Sequence, residues 1–237
     1  MRQVVLDTET TGLNARNGDR IVEIGCVELA GRRQTGRRLH VYVNPERDVP
    51  IEAQRIHGLS DEFLADKPKF REVAGELADF IRDAELIIHN AAFDMEFLNV
   101  EFGLLADPRW PAASQICGSV FDTLKLARDL RPGKRNTLDA LCSEFGIDNS
   151  NRKFHGALLD AELLAEVYLA MTRGQESLVI DLEPAVSAGP AARRPRTPPR
   201  VIRAQVDELA AHERVLDEID KESRGKCQWR QAAVAGT

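Results

Sequence analysis

The chain lacks any uninterrupted apolar run of the roughly 18 residues that a membrane-crossing helix needs, so no span is expected. No charged-then-apolar leader precedes its first strand-like stretch, and a cytoplasmic location is expected. Cysteine is scarce: Cys26, Cys117, Cys142 and Cys227 are far apart and form no C-x-x-C pair. That spacing excludes a zinc-finger set and a disulfide framework, and it suits a reducing compartment. Aromatic side chains make up only 5% of the chain, and no stretch interleaves them with basic residues as a nucleic-acid reading face would. No repeat recurs at solenoid periods. Positive charge is also short, with a net charge of −6. The first 183 residues carry 22 basic and 31 acidic side chains, whereas the remainder carries 10 and 7. An acidic domain is a poor passive binder of polyanions, so a polyanionic substrate would need bound metal to supply the attraction.

What is present is a strand-and-helix alternation. Gln3–Asp7, Arg20–Leu29 and Gly36–Val43 read as strands, with Ala30-Gly31-Arg32 as the turn between the last two. Pro50 precedes a short helix holding Glu52 and His57, and Ser60 caps another. Apolar spacing predicts a helix over Phe70–Asp83, then a buried strand over Glu85–His89. Asn90 is a suitable N-cap for a helix over Ala91–Phe102. Ile116–Phe121 reads as a strand, Thr123–Arg131 and Thr137–Phe145 as helices, Asn149–His155 as polar loop and Ala157–Arg173 as a long helix. Three early strands with short links, then strands alternating with helices, predict an α/β domain with a mixed five-stranded sheet flanked by helices, over residues 1–174. Residues 184–200 hold five of the eleven prolines and read as a flexible linker. In the tail, 201–237, Ile202, Val206, Leu209, Leu216 and Ile219 share one helical stripe.

The chemistry starts at Val4-Val5-Leu6-Asp7-Thr8-Glu9. Residues two apart on a strand point to one face, so Asp7 and Glu9 project side by side from a buried strand's end. Two like charges so close repel, and burial strips each of water. A cation between them removes both costs. Asp94 and Asp160 each fall in the first turns of a later helix, and His155 immediately precedes the second of these. Taken singly, such an Asp complements a helix dipole and such a His is an ordinary loop residue. Together, four carboxylates and one imidazole suit divalent-metal hydrolysis of a phosphodiester. Hard oxygen ligands select two Mg²⁺ or Mn²⁺ over zinc, and a neutral His suits removal of a proton from water. Asp122 is expected to cap the Thr123 helix, and His89 to be a hydrogen-bonded structural residue.

In order and surroundings, Asp7-x-Glu9, Asp94, His155 and Asp160 resemble the DEDDh group of 3′–5′ exonucleases, which have a ribonuclease H-like fold. LDTETTGL (Leu6 to Leu13), IVEIG (Ile21 to Gly25), RIHGLSDEFL (Arg55 to Leu64), IHNAAFD (Ile88 to Asp94), PGKRNTLDALC (Pro132 to Cys142) and HGALLDAELLAEVYLAMTRGQ (His155 to Gln175) resemble the epsilon-subunit family of bacterial DNA polymerase III. The resemblance implies a proofreading enzyme that removes mispaired 3′-terminal nucleotides as 5′-mononucleotides. It implies that Asp7, Glu9 and Asp160 hold one metal, that Asp7 reaches the second, and that Asp94 acts through water. His155 would be the general base. Thr10, Glu52 and His57 would seat the terminal nucleotide beside Asp7, Glu9 and Asp160, and Asn90 and Phe93 would line the pocket.

The rest of the chain suggests partners. Gln175, Leu178 and Ile180 resemble the anchors of a sliding-clamp-binding peptide, placed at 175–180 between domain and linker. The resemblance assigns the tail with Trp229 to the polymerase alpha subunit, and a small theta-type subunit is a further possible partner. Two other readings remain open. One is an RNA 3′-end exonuclease of the same group; the other is mainly a structural bridge between clamp and polymerase.

Overall fold

The computed structural model describes residues 2–152, 154–173, 204–223 and 229. Contacts divide the chain into two units, Met1–Val179 and Ile180–Thr237. The first contains five strands, β1 (Arg2–Thr10), β2 (Ile21–Ala30), β3 (Arg33–Tyr42), β4 (Glu85–Ile88) and β5 (Ser119–Asp122). Its helices are α1 (Ile51–His57), α2 (Asp61–Leu64), α3 (Phe70–Ile81), α4 (Ala91–Leu104), α5 (Ala113–Ile116), α6 (Thr123–Leu130), α7 (Leu138–Phe145) and α8 (Ala157–Met171). The sheet order is β3-β2-β1-β4-β5. β1 lies at the centre, antiparallel to β2 and parallel to β4. The expected mixed five-stranded sheet is therefore present.

Several boundaries differ from those expected: β1 runs on to Thr10 rather than ending at Asp7, helices end a residue or two away, and two further differences have a clear local cause. Gly31 and Arg32 both take left-handed conformations, with φ of 54° and 62°. That two-residue turn matches the twist of a hairpin and returns the chain to pairing at once, so β3 begins at Arg33 opposite Ala30 rather than at Gly36. Ile116 ends the helical turn α5 rather than opening a strand, and pairing starts at Ser119 opposite Glu85. Both Ile116 and Cys117 are buried, which an apolar strand pattern and a buried helical turn satisfy equally.

The core fixes which way β1 presents its side chains. Val4 and Leu6 pack with α3 and α4, whereas Val5 packs with Ala161, Leu164, Ala165 and Tyr168 of α8. Alternation then turns Asp7 and Glu9 toward the α8 face and Thr8 toward α4. On α8, Ala157, Ala161 and Ala165 recur every four residues and are fully buried, a small stripe that lets the helix approach closely. Opposite it, Gly25 is the partner of Asp7 in the β1–β2 register. A Cβ at Gly25 would stand 2.2 Å from the Ala157 carbonyl carbon, so only glycine permits this approach.

The end of β1 is fastened from the other side. Arg20 Nε and Nη2 donate to the two carboxylate oxygens of Glu101 on α4 at 2.8 and 2.7 Å, and Ile21 N donates to the same group at 3.2 Å. Arg20 carbonyl in turn accepts from Thr11 N at 2.8 Å. A buried, bidentate pair of this kind restricts the strand exit even where its net contribution to stability is small.

In the second unit, α9 (Val206–Glu222) has no buried residue. Glu208 accepts from Gln205 N and closes its first turn. Val206, Leu209 and Ile219 of the expected stripe are exposed and Leu216 is half-buried. Ile202, the linker at 184–200, and Gln175, Leu178 and Ile180 lie outside the described residues. Trp229 is described and exposed.

Candidate active site

The C-terminal end of β1 opens into a cavity of about 740 Å³. Asp7, Glu9, Asp94, His155 and Asp160 all line it, together with Asn90 and Phe93. Strand alternation delivers Asp7 and Glu9, and the close approach of α8 delivers Asp160, which is 4% exposed in that helix's first turn. Asp94 comes from the first turn of α4 and is held by Thr8, whose backbone N and Oγ1 donate to its Oδ1 at 3.1 and 2.7 Å. Thr8 thus uses the opposite face of β1 to orient a fourth carboxylate. The segment before α8 overhangs the cavity because His155 N donates to Ile56 carbonyl at 3.0 Å, tying it to α1. His155 therefore comes from the loop and Asp160 from the helix, and the two meet at the cavity. Glu9, His155 and Asp160 each present a ligand atom within 4.8 Å of one another.

The carboxylates bear the cost of this convergence. Burial, followed by the charges of Asp94, Asp160 and Glu9, raises the pKa of Asp7 well above its ordinary value. Burial, followed by Asp160 and Glu23, pushes Glu9 up to about 8. Burial pushes Asp94 up to about 7, although the hydrogen bonds from Thr8 oppose it. A set of hard oxygen donors that resist ionisation together fits a divalent cation, which replaces the lost hydration and cancels the repulsion.

The sign of the pH dependence follows. A carboxyl group whose pKa is raised on folding stabilises the fold fully below its unfolded value and loses that contribution as pH rises through the folded value. For Glu9 the window runs from 4.5 to about 8. The melting temperature in chelator is therefore expected to fall across this window. Added Mg²⁺ or Mn²⁺ should raise it little at the acid end and substantially at the alkaline end. A metal-induced gain that is uniform across the window would separate the cluster from metal binding.

Not every expected site residue lines the cavity. Thr10 is buried and its Oγ1 donates to Gly12 carbonyl at 2.6 Å. Glu52 is exposed on α1. His57 is buried, its Nδ1 accepting from Leu59 N at 3.0 Å while its Nε2 has no partner. Burial, then His155, lowers the pKa of His57. Asn90 does not cap α4 through its side chain. It sits in the left-handed region, its N donates to Asp122 Oδ1 at 3.2 Å, and its side chain is left to line the cavity. Asp122 caps α6 as expected, accepting from Leu124 N and Lys125 N. His89 is hydrogen-bonded as expected, to Thr123 Oγ1 and Asn136 carbonyl, and it also lines the cavity.

The sequence reading missed the basic side of the cavity. Arg128, Arg131, Lys134, Arg135 and Arg152 all line it. Lys134-Arg135 after Pro132-Gly133 was the available signal, an adjacent basic pair in a loop of an otherwise acidic domain. Arg152 sits deepest, with Nε and Nη2 donating to Asp160 Oδ1 and Oδ2 at 2.5 and 2.6 Å.

Comparison with known proteins bears on this arrangement. Residues 4–168 match the RNase_T family model, described as Exonuclease. The chain is 52% identical to DNA polymerase III subunit epsilon of Salmonella typhimurium, an alignment covering 97% of each chain. It is 51% identical to the subunit of the same name from Escherichia coli K12, again over 97% of each. A solved structure of exonuclease X in complex with 5′-overhanging duplex DNA is similar in fold, with a TM-score of 0.54 and 24% identity, covering 73% of this chain and 92% of that one.

Proposed function

The chain belongs to the exonuclease family and, within it, to the epsilon subunits of DNA polymerase III, the proofreading 3′–5′ exonucleases of that complex, and from this premise we propose how its own residues do the work. Asp7, Glu9 and Asp160 would hold one divalent cation, Asp7 would reach a second, and Asp94 would act through water. The observation that carries this reading is the convergence of Asp7, Glu9 and Asp160 on one side of β1, with Asp94 fixed from the other by Thr8. Two Mg²⁺ or Mn²⁺ ions would activate the attacking water and stabilise the leaving oxygen. His155, half exposed at the cavity mouth, takes the proton from that water through a ring nitrogen. Asn90 and Phe93 line the space for the terminal nucleotide, with Thr10, Glu52 and His57 supporting its far side. Arg128, Lys134 and Arg135 give the incoming strand a positive rim that tracks phosphates without reading bases. Selectivity then comes from the end itself, because a mispaired terminus costs less to unstack than a paired one.

The partners belong to the second part of the proposal. Gln175, Leu178 and Ile180 dock on the sliding clamp, and the exposed stripe of α9 with Trp229 docks on the polymerase alpha subunit. The segment at 184–200 acts as a tether that keeps the exonuclease at high local concentration near the primer end.

Digestion of a mispaired DNA primer with Mg²⁺, with and without the polymerase subunit, tests the catalytic part. Release of 5′-mononucleotides is expected, faster from mispaired than from paired ends. Preference for an RNA 3′ end over DNA would favour the RNA-processing reading instead. A chain ending at Glu183 is expected to keep the hydrolytic rate and to lose co-purification with the polymerase subunit. Retained co-purification would reject the tail as the docking site.

A further inference from the structure

Arg152 lies three residues before His155 and eight before Asp160, and its side chain is 7% exposed. Its Nε and Nη2 donate to both oxygens of Asp160, Nη1 donates to Asp139 Oδ1 at 2.8 Å, and Nη2 lies 3.1 Å from His155 Nδ1. A guanidinium offers only N–H donors, so His155 Nδ1 must accept, which places the imidazole proton on Nε2. One side chain thus engages both oxygens of a carboxylate and the only lone pair of the neutral imidazole beside it. A divalent cation on those oxygens would stand within about 4 Å of a fixed positive charge, a repulsion that a water-poor site screens weakly. The grip and the cation therefore compete for Asp160. Asp139, at the cavity rim and 57% exposed, already holds the third donor and can retain the guanidinium when Asp160 is given up.

We propose that Arg152 is a positioning residue that acts as an internal counter-cation: it holds Asp160 and His155 closed, and a divalent cation must displace it toward Asp139, which frees the imidazole lone pair in the same movement. The inference rests on the metal-dependent reading above. It couples the two halves of the chemistry. The base becomes available only when the ligand carboxylate is released, so the site does not present an active base without its cation. It also accounts for a fully formed guanidinium fork in a place where a single positive charge would neutralise Asp160 as well.

Direct binding of Mn²⁺ to the full chain without DNA, followed by the electron paramagnetic resonance of free Mn²⁺, tests this with Arg152→Gln and Arg152→Lys. Removing the competitor is expected to tighten Mn²⁺ binding about tenfold in Arg152→Gln. Arg152→Lys keeps the charge but not the fork, and should still tighten binding about threefold. A gain in Arg152→Gln alone would show that the charge and not the fork opposes the cation, and would overturn displacement of the grip. Weaker binding in either variant would make Arg152 a support for the ligands and would equally overturn it. Absence of Mn²⁺ binding by the unaltered chain would reject the metal-dependent reading, and this inference with it. If Arg152→Gln does not fold, Mg²⁺ titration of the unaltered chain followed by the Arg152 Nε–H resonance decides. A saturable shift away from the carboxylate-bonded position supports displacement, and an unmoved resonance overturns it.

Discussion

Replacing Asp7 by alanine is expected to reduce Mg²⁺-dependent nucleotide release by roughly 10³-fold or more, the effect of losing several kcal/mol of metal-mediated transition-state stabilisation. The same substitution should leave the fold intact. Asp7 follows Val4, Val5 and Leu6, which are fully buried and keep β1 anchored on both faces whatever occupies the next position. Its carboxyl group is raised by burial and by three neighbouring carboxylates, so in chelator it is a source of strain rather than of stability. The melting temperature of Asp7→Ala in chelator should accordingly match or exceed that of the unaltered chain at alkaline pH, while the gain from Mg²⁺ disappears. Asp7→Asn keeps the shape and removes the charge, and should behave likewise. Undiminished hydrolysis in Asp7→Ala would sink the site assignment. A large loss of stability in chelator would instead make Asp7 a structural residue.

That prediction was available from the sequence because it depends on the shortest period in protein structure. Alternation along a strand places Asp7 and Glu9 together with no knowledge of the rest of the fold. Asp94 and Asp160 were legible as first-turn residues of expected helices, and His155 as a residue just before one of them. Other features were not legible, for identifiable reasons. The grip of Arg152 on Asp160 depends on how a seven-residue polar segment folds back over the cavity, which no periodicity encodes. The basic rim of Arg128, Arg131, Lys134 and Arg135 is a run in the sequence, but only the fold shows that the end of α6 and the loop before α7 bring it to the carboxylates. Asn90 has the side chain of a good cap, yet it takes the left-handed conformation that asparagine also tolerates and makes no side-chain cap bond. His57 and Glu52 share a short helix, but burial separates them, with His57 turned inward and Glu52 outward.

Substituting Gly25 by alanine is expected to lower the hydrolytic rate about 100-fold, although Gly25 is not among the residues that line the cavity. The reason is spacing. Gly25 lies opposite Asp7 on the neighbouring strand, and its missing side chain is filled by the backbone of Ala157 at the start of α8. A Cβ there would stand 2.2 Å from a carbonyl carbon and 2.3 Å from both the carbonyl oxygen and the next backbone nitrogen. Backbone cannot rotate aside as a side chain can, so the first turn of α8 must shift outward by about an ångström or more to restore van der Waals contact. Asp160 rides on that turn, so its carboxylate moves away from Asp7 and Glu9 by a comparable distance. Overpacking should also cost about 1–3 kcal/mol of stability, measurable in urea. Gly103→Ala provides the control. It lies on exposed α4 surface with open space around it and a helical backbone, so alanine should stabilise slightly and leave the rate unchanged. Single-turnover rates at saturating Mg²⁺ separate the two effects, because unfolding lowers the active fraction whereas displacement lowers the rate of every molecule. A Gly25→Ala enzyme with an unchanged rate would mean that the carboxylate spacing is set elsewhere. The expected loss would mean that a glycine on β2 sets the distance between Asp7 and Asp160.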